Sequence, residues 1–389
     1  MPELSRRVQT FTDSVIRRMT RINNMTPGSI NLSQGFPDFD PPQEILDALK
    51  EAAEHGPHQY SITFGAKNFR DALAEMYTKK FAREIDPEKE IVVTCGGTEA
   101  MMAAMMTVCN PGDKVAVFSP FYENYGADAI LSGADPVYVP LVPPDFHYDS
   151  EALERAFQAG AKALILCNPS NPCGKVFTME EMEEIAELAK RYDAFVITDE
   201  VYEYIIYGEN RHISMAALPG MYERTITCSS LSKTYSMTGW RLGYAACNEE
   251  IVKTVNKLHQ HVVTCATSFV QKAGVIALKE EKNEVNDMVK EYQRRRDYAV
   301  KAINEIDGLS CRCPKGAFYI FINIEKLGMT GQEFAPLLLE NAKVALVPGD
   351  VFGTEGDHYV RMSFANRYEN VVEGCKRLKE FVEKLRRNK

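Results

Sequence analysis

Short apolar runs and segments of helical periodicity alternate along the chain between about residues 90 and 230. The apolar runs are continuous rather than alternating, which is typical of parallel strands buried on both faces. We therefore predict a doubly wound, mostly parallel α/β sheet with right-handed crossovers and with helices between the strands. The predicted strands cover residues 91–94, 114–118, 163–166, 195–198 and 225–227.

The clearest predicted helix covers residues 178–192. Thr178 can cap its start and Glu181 stands three residues later, which is the spacing of a capping box. Ile185 and Leu188 then supply an apolar stripe at helical spacing. Parallel strands need a crossover connection of about a dozen or more residues, and a helix of this length can supply one.

The pattern changes after about residue 285, where charged helical segments and short strands indicate a smaller α+β domain. A chain of 389 residues also exceeds the size at which a single core usually stops growing. We expect a large domain of residues 41–285 and a small domain of residues 1–40 with 286–389. The predicted C-terminal elements are helices over 280–305, over 331–342 and from 369, and strands over 317–321, 344–347 and 359–364.

The composition excludes several classes of protein. The formal net charge is −9, which argues against nucleic acid as a partner. The longest apolar stretch, around residues 100–109, is far shorter than a membrane span. Several of the ten cysteines lie in or beside apolar runs, and the N-terminal residues contain no apolar core of a signal peptide. We expect reduced thiols, a cytoplasmic location, and no membrane or nucleic-acid partner.

Polar residues follow each of the five predicted strands at the point where the strand ends. Open parallel sheets bind ligands beyond the carboxyl ends of their strands. We therefore expect these residues to meet at one edge of the sheet and to form a site. In chain order they are Gly97 and Thr98, Tyr122, Asn171, Asp199 and Tyr202, and Ser230 and Lys233.

The segment of residues 229–241 carries the most specific chemistry, because it combines hydroxyl groups with one lysine, Lys233, and one arginine, Arg241. A lysine amine can form an imine with a carbonyl cofactor, while hydroxyls and an arginine hold the cofactor's phosphate. The Gly-Gly-Thr sequence at 96–98 opens a predicted helix and offers backbone N–H groups to a phosphate. These features together predict a pyridoxal 5'-phosphate (PLP) site.

Each feature also has an ordinary structural explanation. The Gly-Gly-Thr sequence can be only a turn, Asp199 can cap the next element, and Arg361 can form a structural ion pair. A zinc site is a further alternative, with the ligands His259, His261 and Cys265. The joint occurrence of the polar residues at one sheet edge favours the cofactor site over these explanations.

The motifs resemble those of the class I, fold-type I PLP-dependent aminotransferases, the group of the aspartate, aromatic and kynurenine aminotransferases. The resemblance runs from about Asn31 to the C-terminus, and residues 32–39 are similar to kynurenine, glutamine and methionine aminotransferases. It implies a large PLP-binding domain, a smaller α+β domain and a homodimer. The motifs are Ser-Leu-Ser-Lys at 230–233, Gly-Trp-Arg at 239–241, Asn-Pro-Ser-Asn-Pro at 168–172, Thr-Asp-Glu-Val-Tyr at 198–202 and Arg-Met-Ser-Phe-Ala at 361–365.

The resemblance implies catalytic roles for Lys233, Asp199 and Tyr202. Lys233 would bind the cofactor covalently and later act as the general base. Asp199 would pair with the pyridine nitrogen and keep it protonated, which lets the ring accept electrons. Tyr202 and Asn171 would donate hydrogen bonds to the 3-oxygen of the ring.

The resemblance also implies the remaining contacts of the cofactor and the substrate. Tyr122 would stack on the cofactor ring. The phosphate would be held by Gly97, Thr98, Ser230 and Arg241, and by Tyr60 from the second subunit. The substrate would be bound by Arg361, which holds its α-carboxylate, and by Asn171 and Gly35.

The implied activity is the transfer of an amino group from an amino acid to a 2-oxo acid by a ping-pong mechanism. Thr98 stands where some aspartate-acting relatives have a lysine, and residues 259–267 contain no arginine for a second carboxylate. These departures favour an aromatic or apolar donor over aspartate. A PLP-dependent carbon–sulfur β-lyase and a catalytically dead PLP-binding regulator stay open as alternatives. The lack of a Gly-x-Gly-x-x-Gly turn argues against a dehydrogenase.

Overall fold

The computed structural model describes residues 3–5, 9, 11, 13–279 and 283–387. The α-helices are α1 Val15–Asn24, α2 Gln43–His55, α3 Lys67–Phe81, α4 Gly97–Val108, α5 Asn124–Ser132, α6 Ser150–Gln158, α7 Met179–Arg191, α8 Glu249–Val262, α9 Ser268–Lys279, α10 Asn283–Asn304, α11 Gly331–Ala342 and α12 Tyr368–Arg387. The strands are β1 Ile30–Asn31, β2 Ile91–Thr94, β3 Lys114–Ser119, β4 Asp135–Val142, β5 His147–Tyr148, β6 Ala161–Cys167, β7 Phe195–Asp199, β8 Thr225–Ser230, β9 Gly243–Ala246, β10 Ser310–Cys311, β11 Tyr319–Asn323, β12 Val344–Ala345, β13 Val347–Pro348 and β14 Tyr359–Ser363.

The central sheet has eight strands in the order β2-β9-β8-β7-β6-β3-β4-β5. Strands β8, β7, β6, β3 and β4 pair in parallel, while β9 pairs antiparallel with both β2 and β8. Strand β2 therefore points the same way as β8, and the carboxyl ends of all five predicted strands lie at one edge. The mostly parallel α/β sheet is confirmed.

Both faces of the central sheet are buried, which explains the continuous apolar runs. Successive side chains of a strand point to opposite faces. On β3, Val115 and Val117 join a cluster with α4, α5 and α8, whereas Ala116 and Phe118 join a cluster with α6 and α7. The predicted capping box of Thr178 and Glu181 at the start of α7 is present.

Three parts of the large sheet region differ from the sequence-based expectation. Strand β4 was not predicted because it contains Pro136 and Pro140, which remove backbone donors. It tolerates them because its outer neighbour β5 pairs only with residues 141 and 142. The short antiparallel strand β9 was also not predicted. The expected helix between β7 and β8 is wrong, since only 3₁₀ turns at Met215–Ala217 and Tyr222–Arg224 lie there.

The C-terminal part forms a four-stranded antiparallel sheet in the order β10-β11-β14-β13, with the long helices α10 and α12 packed together. The single strand predicted over 344–347 is wrong, because β12 pairs in parallel with β1 while β13 pairs with β14. Of the helix predicted over 280–305, residues 280–282 lie outside the described residues. The division into 41–285 and 1–40 with 286–389 stays a prediction.

Candidate active site

A cavity opens at the carboxyl edge of the central sheet and brings most of the predicted site residues together. Tyr60 is the exception, because its side chain is 83% exposed and does not line this cavity. The cavity also contains residues that sequence reasoning missed, among them Ile16, Tyr125, Asp128 and Tyr319. The predicted residues that line it are Gly35, Gly97, Thr98, Tyr122, Asn171, Asp199, Tyr202, Ser230, Lys233, Arg241 and Arg361.

The start of α4 and the guanidinium of Arg241 face the cavity together. Gly96 precedes α4 with φ of +85°, and a Cβ atom there would lie 2.4 Å from Nη2 of Arg241. Arg241 donates to the carbonyl oxygen of Thr238 at 2.9 Å and forms no ion pair within the described residues. Because a helix N-terminus and an unpaired arginine both attract anions, this corner suits a phosphate group.

Asp199 ends β7 and places a buried carboxylate at the floor of the cavity. Tyr125 donates a hydrogen bond to its Oδ2 at 2.7 Å, and the Val201 N–H group donates to its Oδ1 at 3.3 Å. Burial raises the pKa of Asp199, whereas these two hydrogen bonds and the charge of Lys233 oppose that increase. A carboxylate held in this way, with no ion pair among the described residues, suits a cationic ring nitrogen.

Lys233 lies just beyond β8, and its Nζ donates to the carbonyl oxygen of Gly35 at 2.5 Å. Burial lowers the pKa of Lys233 to about 8, while the charge of Asp199 raises it and Arg361 and Arg241 lower it. With this pKa, roughly a tenth of the Lys233 amine is uncharged at pH 7, far more than for an ordinary lysine. A free amine is the form that attacks a carbonyl carbon.

Arg361 on β14 is 1% exposed, yet it forms no ion pair within the described part of the chain. Its Nη1 donates to Oδ1 of Asn171 at 2.9 Å and its Nη2 donates to the carbonyl oxygen of Ser33 at 2.8 Å, while its Nε has no partner. The guanidinium lies over the Tyr319 ring at 4.2 Å. A structural ion pair is thus the wrong explanation, and a buried cation of this kind suits a bound carboxylate.

Tyr319 on β11 lies between Tyr202 and the backbone of Gly35 in the cavity. Its hydroxyl lies 2.9 Å from the hydroxyl of Tyr202, and a Cβ atom at Gly35 would lie 2.3 Å from it. Gly35 is therefore required for the close approach of its backbone to this tyrosine. No local pattern marks Tyr319, since the three residues that follow it in the strand are apolar core residues.

The zinc alternative is not supported by the described residues. His259 is fully buried, and its Nδ1 lies 2.7 Å from a carboxylate oxygen of Glu99 rather than among sulfur ligands. The metal-ligand geometry found in the described part involves Glu200, Glu203 and His212. The ammonium of Lys80 lies 2.5 Å from both carboxylates of that group, so a cation already occupies it.

The donor set as a whole fits PLP. The corner with Arg241 and the start of α4 can take the phosphate, and Asp199 can take a protonated ring nitrogen. Lys233 offers an amine of lowered pKa to the aldehyde, and Tyr122 offers an aromatic face beside them. No metal ion is needed to explain any of these groups.

Comparison with known proteins agrees with this donor set. A family described as aminotransferase class I and II matches residues 27–378. The chain is 40% identical over 382 residues to an aspartate aminotransferase of Pyrococcus abyssi, covering 97% of this chain and 98% of the relative. It is 38% identical to aromatic-amino-acid aminotransferase 2 of Thermococcus litoralis, with the same coverage of 97% and 98%.

Solved structures of aminotransferases also superimpose closely on this chain. The aromatic aminotransferase from Pyrococcus horikoshii superimposes with a TM-score of 0.91 at 38% identity, covering 97% of this chain and 98% of that chain. The aspartate aminotransferase from Thermus thermophilus with maleate superimposes with a TM-score of 0.92 at 31% identity, covering 98% and 100%. The chain belongs to the class I and II aminotransferase family. It is accordingly a PLP-dependent transferase of amino groups.

Among the described helices, none combines the length and the apolar character that a membrane crossing requires.

Proposed function

We propose that this aminotransferase prefers an aromatic or apolar amino acid as donor and passes the amino group to a 2-oxo acid in a second half-reaction. The observation that carries the proposal is the small number of cations in the described lining of the cavity, which are Lys233, Arg241 and Arg361. Each of the three already has a role toward the cofactor or the α-carboxylate. Thr98 and the side chains of Ile16, Tyr122 and Tyr319 supply no charge for a distal carboxylate. Aspartate is the second candidate donor, because relatives named aspartate aminotransferase are as similar as the aromatic ones.

The proposed residue roles follow from the contacts in the cavity. Bound PLP supplies a conjugated ring that accepts the electron pair left on the substrate Cα. Asp199, fixed by Tyr125 and Val201, would hold a proton on the ring nitrogen, while Tyr202 and Asn171 would hold the 3-oxygen. Ser230 adds a hydroxyl to the phosphate corner formed by Gly97, Thr98 and Arg241.

The substrate roles fall to Arg361 and Lys233. Arg361 binds both oxygens of the α-carboxylate through its fork of donors and thereby orients the Cα–H bond. As a free amine, Lys233 would act as the general base that takes the proton from the substrate Cα and would later donate that proton back. Its lowered pKa of about 8 allows both steps near neutral pH. Asn171 and Gly35 complete the substrate side by positioning Arg361 and Lys233.

Replacing Gly96 with alanine should weaken cofactor binding. The substitution forces a side chain onto a residue with φ of +85° and places a Cβ atom against Arg241, so the guanidinium must shift away from the start of α4. We expect the PLP dissociation constant of the apo-protein to rise about 10- to 100-fold. Gly112→Ala is the matched control, because Gly112 has φ of +88° but open space around it. Equal affinities of the two variants would remove Arg241 from phosphate binding.

Replacing Arg361 with lysine should weaken amino acid binding without releasing the cofactor. Lysine keeps the charge but loses the fork that reaches both oxygens of a carboxylate. We expect KM for the donor to rise about 10- to 100-fold, with the absorbance of the bound cofactor unchanged. Arg377→Lys provides the control, since Arg377 pairs with Glu373 far along α12. An unchanged KM would show that the α-carboxylate binds elsewhere.

We also propose a homodimer in which Tyr60 of one subunit reaches the active site of the other. Tyr60 is 83% exposed and Val262 is 65% exposed, and exposed apolar residues of this size favour burial against a partner. The test mixes Tyr60→Ala with Lys233→Ala protein under conditions that exchange subunits. A mixed dimer restores one intact site if Tyr60 acts across the interface, and activity should return. Failure to regain activity would contradict shared sites.

We also propose a cytoplasmic location, supported by the chemistry of the cysteines. All ten are free thiols, and six of them are buried. Free buried thiols are typical of proteins that stay in a reducing compartment.

The donor preference is tested with a panel of amino acids, each assayed for its first half-reaction by the loss of the cofactor's absorbance. Phenylalanine, tyrosine or methionine should exceed aspartate in kcat/KM by about tenfold or more, which is the discrimination that one unmatched carboxylate produces. A preference for aspartate would overturn the donor proposal. The comparisons do not favour the β-lyase and regulator alternatives; release of pyruvate and ammonia from cystathionine without an oxo acid would show a lyase activity in addition to amino transfer.

A further inference from the structure

A second carboxyl group, that of Asp128, lines the active-site cavity together with Asp199. Asp128 is 4% exposed and lies on α5 one turn beyond Tyr125. Its Oδ2 is buried and has no hydrogen-bond partner in the described part of the chain. Because a buried carboxyl group without a partner is costly, an apolar residue would serve the helix better here. The position therefore calls for a functional explanation.

The two carboxyl groups of the cavity differ in their hydrogen bonds. Asp199 accepts from the Tyr125 hydroxyl and from the Val201 N–H group, and both contacts favour its charged form. Asp128 has no comparable donor on its Oδ2. Burial, together with the charge of Asp199, raises the pKa of Asp128 to about 8. Of the two, Asp199 keeps the negative charge and Asp128 keeps the proton near neutral pH.

The other titratable groups near Asp128 do not supply a counter-charge. Tyr125 on the same helix and Cys228 on β8 are both neutral, since burial raises the pKa of each side chain far above neutrality. On β7 the neighbouring group is Asp199 itself, and the positive charge that lowers the pKa of Asp199 is that of Lys233. Helix α4 faces the same part of the cavity with Met101 and Thr98, which carry no charge.

We propose that Asp128 is a positioning residue that carries a proton beside Asp199 in the apo-protein and gives it up when the cofactor's cationic ring nitrogen is bound against Asp199. This proposal rests on the proposed role of Asp199. A cation next to the pair favours the ionised form of both carboxyl groups. Binding then transfers one proton from Asp128 to solvent, and the pair gains one negative charge that helps to keep the ring nitrogen protonated.

Proton release measured by calorimetry tests the proposal directly. Apo-protein is titrated with PLP near pH 7 in two buffers of different ionisation enthalpy, which gives the number of protons released per site. The wild type should release up to about one proton more than Asp128→Asn. Asp135→Asn is the matched control, because Asp135 is exposed at the start of β4, and it should match the wild type. Equal proton numbers for the wild type and Asp128→Asn would overturn the proposal.

The pH dependence of affinity gives a second readout. Since binding by the wild type releases a proton, its PLP dissociation constant should fall with rising pH up to about pH 8, relative to that of Asp128→Asn. The ratio of the two constants should change by up to about tenfold per pH unit below pH 8 and level off above it. A ratio that does not vary with pH would contradict the proposal.

An infrared measurement and the cofactor's absorbance separate failure of this proposal from failure of the proposed function. Should Asp128→Asn not fold, the infrared band of a protonated carboxyl group in wild-type apo-protein must disappear on PLP binding, and its persistence would overturn the proposal. Should the wild type form no covalent chromophore at Lys233, the proposed function itself fails. A normal chromophore with unchanged proton release refutes only the role of Asp128.

Discussion

Replacing Lys233 with alanine is expected to abolish turnover while leaving the fold intact. The substitution removes the amine that we propose both as the covalent attachment point of the cofactor and as the base for the Cα proton, so the rate should fall by about 10⁴-fold or more. The fold should survive, because burial disfavours the charged form of this lysine and its removal relieves that cost. The measurements are the rate of oxo acid formation and the melting temperature of the apo-protein.

Lys67→Ala is the control for this experiment. The Lys67 side chain is 68% exposed and pairs with Asp71 on the surface of α3, so its loss should change neither rate nor cofactor binding. Turnover by the Lys233 variant within tenfold of the wild type would refute the assignment of the base. A variant that does not fold would contradict the statement that burial disfavours this charge.

Replacing Asp199 with asparagine is expected to separate cofactor binding from catalysis. The phosphate corner and Lys233 are untouched, so PLP should still attach. An amide cannot hold the ring nitrogen protonated, and the ring then accepts electrons poorly. We expect kcat to fall on the order of 10³-fold, comparable to the loss of one strong electrostatic contact in an active site. Stopped-flow absorbance of the first half-reaction gives the rate.

The control for Asp199→Asn is the same change from aspartate to asparagine at an exposed position. Asp193→Asn replaces a carboxylate whose side chain is 91% exposed, and it should leave kcat unchanged. If Asp199→Asn retained the wild-type rate, Asp199 would have no part in the reaction. If it lost the cofactor entirely, Asp199 would act in binding and not in electron withdrawal.

The strands that carry the site could be predicted because each is marked by a short apolar run in the sequence itself. Continuous apolar runs such as β6 and β7 require burial on both faces, and the parallel direction of their neighbours follows from the intervening connections. The polar residues after each run then meet at one edge for geometric reasons. This is why the sequence alone could place Asp199, Asn171 and Lys233 in one site.

Other features depend on tertiary context that no local pattern encodes. Strand β4 contains two prolines and survives because of its place near the edge of the sheet. The run over 344–347 looks like one strand, but its two halves pair with different partners. The order of the strands around β9 also follows from pairing across a long sequence separation.

The residues that complete the site were missed for a similar reason. Tyr125 and Asp128 lie on an ordinary helix, and only its tertiary position brings the tyrosine hydroxyl to Asp199 at the end of β7. Tyr319 lies in an apolar strand of the other sheet and reaches the cavity through its contact with Tyr202. Tyr60 was predicted to reach the site of a second subunit, and it lies outside the cavity of its own chain; its role across an interface stays a prediction.

The proposed activity depends on a covalent bond between the ε-amine of Lys233 and the aldehyde of PLP. Borohydride reduction of the cofactor-supplied protein makes such a bond permanent, and peptide mapping by mass spectrometry then locates it. We predict one modified peptide, with the reduced cofactor on Lys233. Modification at another lysine, or none in protein that has been supplied with PLP, would contradict the claim.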